Sequence, residues 1–67
     1  MLSARNQLKG TVKSIKLGQV MAEVVIDVAG MEVVSLISKD SAERLGLKEG
    51  DKVAAVIKAT EVMVSKD

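Results

Sequence analysis

The stretch Val20-Met21-Ala22-Glu23-Val24-Val25-Ile26-Asp27-Val28-Ala29-Gly30-Met31 decides the fold. In an extended chain Val20, Ala22, Val24, Ile26 and Val28 share one face, and Met21, Glu23, Val25 and Asp27 share the other. Alternation of period two is the mark of a strand with one face on a core. Ala29-Gly30 then supplies a tight turn, and Met31 to Ser38 returns as the partner strand of a hairpin.

Upstream, Gln7 to Leu17 reads as a first strand. Leu8, Gly10 and Val12 keep one phase, whereas Ile15 and Leu17 take the other, and such a slip predicts a bulge or a strong bend. Gly10 admits another backbone at close range. Leu17-Gly18-Gln19 turns into the hairpin. Downstream, Ser38 or Asp40 is the expected N-cap of a short helix whose apolar side is Ala42, Leu45 and Leu47. Gly46 suits its left-handed end. Lys48 to Asp51 is a turn, and Val53 to Lys58 and Glu61 to Ser65 read as the last two strands. The expected fold is all-β, a five-stranded OB-like Greek-key barrel with one short helix between strands 3 and 4.

The chain has 67 residues, read as one domain over 1–67, and 48% of them are hydrophobic, with eleven Val and four Ile. Below roughly 70–80 residues a lone core rarely supplies more than about 3–5 kcal/mol without staples or partner subunits. There is no Cys and no His, which removes disulfides and the commonest metal ligands. Association with further copies is the remaining option. Val25, Val34, Leu36 and Val56 fall opposite the strongest core positions, and exposed apolar patches of that kind mark interfaces. No run approaches the ~18 apolar residues of a membrane span, and Arg5-Asn6-Gln7 follow the start without a hydrophobic stretch. The expectation is a soluble cytoplasmic protein with no membrane partner. The net charge of +1 and the absence of Phe, Tyr and Trp also argue against a nucleic-acid partner.

The acidic residues sit at turns or alternating strand positions, no base stands beside a nucleophile, and the five glycines are isolated. This is not the composition of an enzyme site. One polar cluster stands out: Ser3 and Arg5 near the start, Ser38 and Ser41 around the helix start, and Lys58. Arg, Lys and hydroxyl donors hold a tetrahedral oxyanion by charge-assisted hydrogen bonds. The same residues also have plain explanations. Ser38 can be only a cap, Arg5 only solvated, and Lys58 an edge residue with its amine in water. Asp40 adds an unhelpful negative charge. From spacing alone both readings stay open.

Ser-Ala-Arg-Asn-Gln-Leu-x-Gly at 3–10, Ile-Ser-x-x-Ser at 37–41, Leu-Gly-Leu-x-x-Gly at 45–50 and Lys-Ala-Thr-x-Val-Met at 58–63 resemble the molbindins, small molybdate-binding proteins built from a Mop-type (TOBE) domain. The resemblance spans essentially the whole chain. It implies an OB-like fold whose chains exchange strand contacts in dimers, with three dimers forming a hexamer. It implies molybdate or tungstate as ligand, bound at the dimer interface, with no cofactor. The implied ligands are Ser3, Arg5, Ser38, Ser41, Lys58 and Ala59. Some relatives carry Ser at the last position, where this chain offers only a backbone N–H. A second class of site, near a three-fold axis and involving Gln19-Val20-Met21, is also implied. The implied role is intracellular molybdenum storage and homeostasis. The alternative is an in-trans regulatory module for a molybdate transporter or regulator.

Overall fold

The computed structural model describes residues 5–67, so Ser3 lies outside the described residues. Four strands form one antiparallel sheet in the order β3-β2-β1-β4. They are β1 (Asn6–Leu17), β2 (Met21–Val28), β3 (Met31–Ser38) and β4 (Lys52–Ile57). A helix, α1 (Lys39–Leu45), connects β3 to β4.

The hairpin follows the alternation. β2 buries Ala22, Val24, Ile26 and Val28, and pairs with β3 rung by rung from Met21↔Ser38 to Val28↔Met31. Ala29 and Gly30 turn the chain at φ 51° and 86°. Two successive positive φ angles match the right-handed twist of the strands they join. The Gly30 N–H also donates to Asp27 Oδ1 at 2.9 Å. Val20, expected on the core face, lies just before β2 and is 72% exposed. Its carbonyl instead accepts the Lys39 N–H at 2.7 Å.

The phase slip in β1 is a bulge. Val12 pairs with Ile26 and Ser14 with Val25, leaving Lys13 without an opposite residue. One extra residue turns Val12 and Ile15, three apart, toward the same core. The bulged Lys13 reaches over β2 to form an ion pair with Glu32 on β3. β1 serves two partners, with Thr11–Leu17 against β2 and Asn6–Thr11 against β4. At Gly10, near the switch, a Cβ would stand 2.4 Å from the Asp27 carbonyl oxygen, so no larger residue fits without moving backbone.

Val12, Val24, Ile26, Val28 and Ala55 form the buried cluster, backed by half-buried Ile15, Val33, Ile37, Leu47 and Val53. Each fully buried Val or Ile contributes about 1.5–3 kcal/mol. Among the described residues no aromatic or Leu side chain is fully buried, so the core is thin. Beside it an apolar cavity of about 250 Å³ opens to solvent, with Ser35 the one hydroxyl residue in its lining.

The fifth strand expected at Glu61–Ser65 is absent among the described residues. Ala59–Glu61 forms a single 3₁₀ turn, and 62–67 run on without regular structure. Val62, Met63 and Val64 are 51%, 92% and 91% exposed. The alternation there is real, but a strand needs a neighbour to bond with. The outer edges of β3 and β4 are left facing an open seam lined by Val33–Leu36 and Ala54–Ile57. A single chain therefore forms a four-stranded antiparallel sheet, one strand short of the expected five.

Candidate functional site

Ser38 ends β3 and caps α1. Its φ and ψ of −68° and 148° are extended, and its Oγ accepts the Ser41 N–H at 3.0 Å. Ser38 Oγ also lies 2.9 Å from Ser41 Oγ. The helix closes at Gly46, φ 64°, where the Leu47 N–H reaches back to the Ala42 carbonyl at 3.2 Å. That six-to-one bond is the usual glycine stop. The following turn is tied to the bulge in β1, with Gly50 N–H donating to the Val12 carbonyl and Val12 N–H to the Asp51 carbonyl, both at 2.9 Å. The helix has only seven residues, so its dipole is a minor attraction for an anion. The two hydroxyls are the chief chemistry at this end. Asp40, the carboxylate between them in sequence, is engaged by Arg44 one turn on, at 3.3 Å.

Arg5 and Lys58 lie elsewhere. β1 and β4 run antiparallel with Asn6 opposite Ile57, so the residues flanking that rung, Arg5 and Lys58, emerge side by side. Both are exposed, and neither pairs with a carboxylate among the described residues. Two uncompensated cations at one end of a strand pair are suited to a dianion. Lys58 leads into the 3₁₀ turn, and the Glu61 N–H bonds back to its carbonyl at 2.9 Å. Ala59 opens that turn, and the first amides of a helical turn find no partner within it. Its N–H is the backbone donor next to Lys58 in the chain.

The structure thus separates the candidate donors into two groups. Arg5, Lys58 and Ala59 gather where β1 begins. Ser38 and Ser41 gather by the rung Met21↔Ser38, beside Leu17↔Ala22, where β1 ends. The twelve residues of β1 lie between them. Among the described residues no hydrogen bond joins one group to the other. What the sequence reading missed is the Val20 carbonyl, which holds the Lys39 N–H and so orients the Ser38–Ser41 segment. A backbone acceptor leaves no trace in residue type. The shallow hollow beside Ser38 is lined by Gln19, Val20, Lys39, Asp40 and Glu43. Among the described residues no group of His, Cys, Asp and Glu could hold a metal ion, and no helix is long and apolar enough to cross a membrane.

The family profile of the TOBE domain matches residues 2–64. Molybdenum-pterin-binding protein 3 of Clostridium pasteurianum is 58% identical over 64 residues, 94% of either chain. The high-resolution structure of a molybdate-binding protein from Sporomusa ovata superposes with a TM-score of 0.95 at 50% identity, covering 98% of both chains. The cytoplasmic molybdate-binding protein ModG, with molybdate bound, superposes with a TM-score of 0.82 at 50% identity, over 88% of this chain and 43% of that one. The chain belongs to the molbindin family, and that is not a family of enzymes.

Proposed function

We propose that this protein binds molybdate or tungstate between two copies of the chain and serves to store and buffer the anion in the cytoplasm. The observation that carries the reading is the division of the donors into two half-sites at opposite ends of β1. The cationic half, Arg5 with Lys58 and the Ala59 N–H, has charge and no carboxylate partner among the described residues. The hydroxyl half, Ser38 and Ser41, offers neutral donors. Ser3, outside the described residues, is the further ligand that the family resemblance implies. Each is half of a dianion site, and a partner chain running antiparallel to the first would join them. The relatives named above, which bind molybdenum-pterin or molybdate, support the choice of ligand.

The open seam supports the same assembly. A strand from a second copy, laid between the free edges of β3 and β4, would close the barrel as a fifth strand, and Val62–Ser65 has the alternation for it. Three such dimers make the hexamer that the family resemblance implies, with Val34 and Leu36, 59% and 66% exposed, available for the further contacts.

Fixed N–H, O–H, Arg and Lys donors sort dianions by size. Calorimetric titration of the purified protein should give saturable binding of molybdate, competed by the near-isosteric tungstate. Sulfate, which is smaller, should bind more weakly. Equal affinity for sulfate would reduce the site to a generic anion pocket, and absence of molybdate binding would end the proposal.

A further inference from the structure

The two halves of the sheet's outward face differ in charge. Along β1 the outward series is Arg5, Gln7, Lys9 and Thr11, and along β4 it is Lys52, Ala54, Val56 and Lys58. All of these are exposed, whereas Val12, Val53 and Ala55 of the alternate series belong to the core or pack against it. Four of the outward residues are cations and none is an acid. The register sets Lys9 beside Ala54 and Thr11 beside Lys52, so Lys9 and Lys52 are diagonal neighbours. Among the described residues the ion pairs are Lys13–Glu32 and Arg44–Asp40, and none of the four cations takes part. The β2–β3 half is matched instead. Glu23 stands opposite Lys16, and Lys13 is drawn to Glu32 and then to Asp27. The carboxylates that flank the basic strip are Asp27, opposite Thr11, Asp51, just before Lys52, and Glu61, three residues after Lys58. Asp27 and Asp51 each accept a backbone N–H, from Gly30 and Lys48.

Lysine on an edge strand guards against unwanted pairing. That accounts for β4, but β1 is central in the order β3-β2-β1-β4, so it does not account for Lys9. What Lys9 and Lys52 share is the end to which their strip runs, the cationic group of Arg5 and Lys58. Fields of like charges along a protein surface add, and they raise the local concentration of a counter-ion. Lys9 is four residues from Arg5, about 13 Å of strand, too far to touch an anion held there. That span is within the Debye length of about 30 Å at 0.01 M ionic strength and well beyond the ~3 Å at 1 M. We propose that Lys9 and Lys52 form an approach path that steers a small dianion onto Arg5 and Lys58 and speeds its capture without contacting it once bound; this inference rests on the molybdate reading above. The path acts on charge alone, so selection among dianions is left to the donors of the site.

The test separates capture from release in the assembled protein. Calorimetry gives the affinity for molybdate. Release is followed by loading with radiolabelled molybdate, chasing with excess tungstate and filtering at intervals, and the two together give the capture rate. At about 0.01 M ionic strength, Lys9→Gln/Lys52→Gln should slow capture about three- to tenfold. Release should change by less than about twofold, because charges at the rim of a site act mainly on association. At about 1 M salt the difference in capture should vanish. Lys9→Arg/Lys52→Arg keeps both charges and should capture at the wild-type rate. Lys48→Gln/Lys66→Gln makes the same change in net charge outside this face and should leave capture near that of the wild type. Faster release from Lys9→Gln/Lys52→Gln would make the lysines direct ligands, and equal slowing by Lys48→Gln/Lys66→Gln would leave only net charge. Either result overturns the inference while leaving molybdate binding intact. Unchanged capture in Lys9→Gln/Lys52→Gln would reduce both to solvated surface lysines and overturn it also. A wild-type protein that binds no molybdate would remove both this inference and the function it rests on.

Discussion

Gly10 shows how much one side chain decides here. A methyl group at that position would meet the Asp27 carbonyl at 2.4 Å and the Ile26 and Val28 side chains at 2.9 and 3.0 Å. Backbone cannot retreat as a flexible side chain can. Gly10→Ala should lower stability by about 1–3 kcal/mol or more, the usual cost of overpacking, read as a shift in the urea midpoint. An unchanged midpoint would mean that β1 and β2 part freely at this crossing. At the site the contrast is between charges. Arg5 has no carboxylate partner among the described residues, and its loss from an assembled site leaves a dianion short of a cation, a change worth roughly 3–5 kcal/mol of affinity when such a pair is buried. Lys39→Ala should be nearly silent by the same calorimetry, although Lys39 adjoins the serines. Equal losses from both would mean that only the overall field matters. Lys13 carries a pH prediction. Its hydrogen bond to Glu32, and then the attraction of that carboxylate, raise its pKa above the ordinary 10.5. A raised folded-state pKa means stability fully present below the ordinary value and lost as pH rises through the raised one. The difference in melting temperature between wild type and Lys13→Met should therefore be the same at pH 7 and pH 9, and shrink only above the ordinary lysine range.

Among the elements, β1 carries the most design. Its bulge allows a strand to show one face to β4 and then, past Lys13, keep Ile15 on the core. Deleting Lys13 leaves Val12 and Ile15 two apart and still on the core face, in one-to-one pairing with Ile26 and Val24; what it removes is the bend and extra twist of the bulge, and the melting temperature should fall. Lys13→Ala, which keeps the extra residue and gives up only an exposed ion pair, should lower it much less. Similar effects of the two would mean that the ion pair, and not the bulge, matters. Legibility followed the same lines. The β2–β3 hairpin was plain in the sequence because every second residue from Ala22 to Val28 is apolar and the turn has two residues suited to positive φ. The bulge was plain as a broken phase, and Ser38 and Gly46 as helix signals, because each acts through local geometry. Glu61–Ser65 was misread because alternation states that a segment can pair and is silent on whether its partner is in the same chain. Val20 was misread for a related reason, since the alternation runs one residue beyond the first ladder rung at Met21↔Ser38. The candidate residues were legible as types. Their separation into two groups was not, because it depends on which ends of β1 the register brings near Ile57 and Ser38.

For the molecule as a whole, the thin core, the exposed Val62, Met63 and Val64 and the free strand edges predict that an isolated chain does not persist. Sedimentation at micromolar concentration should show no monomer, and a clean monomer would remove the basis for a shared site. The sharing itself can be tested by complementation. Arg5→Ala and Ser38→Ala/Ser41→Ala proteins should each bind molybdate poorly. Unfolded and refolded together, they form mixed dimers in which one site inherits both defects and the other combines an intact Arg5 with intact serines. Binding should return at up to half the sites. If every donor of a site came from one chain, mixing would restore nothing. The pairing of Asn6 with Ile57 has a further consequence, in time. The β2–β3 ladder closes across two turn residues, whereas β1 meets β4 only after nearly the whole chain has been gathered, and loop-closure entropy delays contacts so distant in sequence. The hairpin should be formed in the folding transition state and the β1–β4 ladder only later. In stopped-flow kinetics, Val24→Ala should slow refolding, while Ala55→Gly should chiefly hasten unfolding. Since the cationic group is assembled by that last ladder, Arg5 and Lys58 come together at the end of folding, when the serines are already in place.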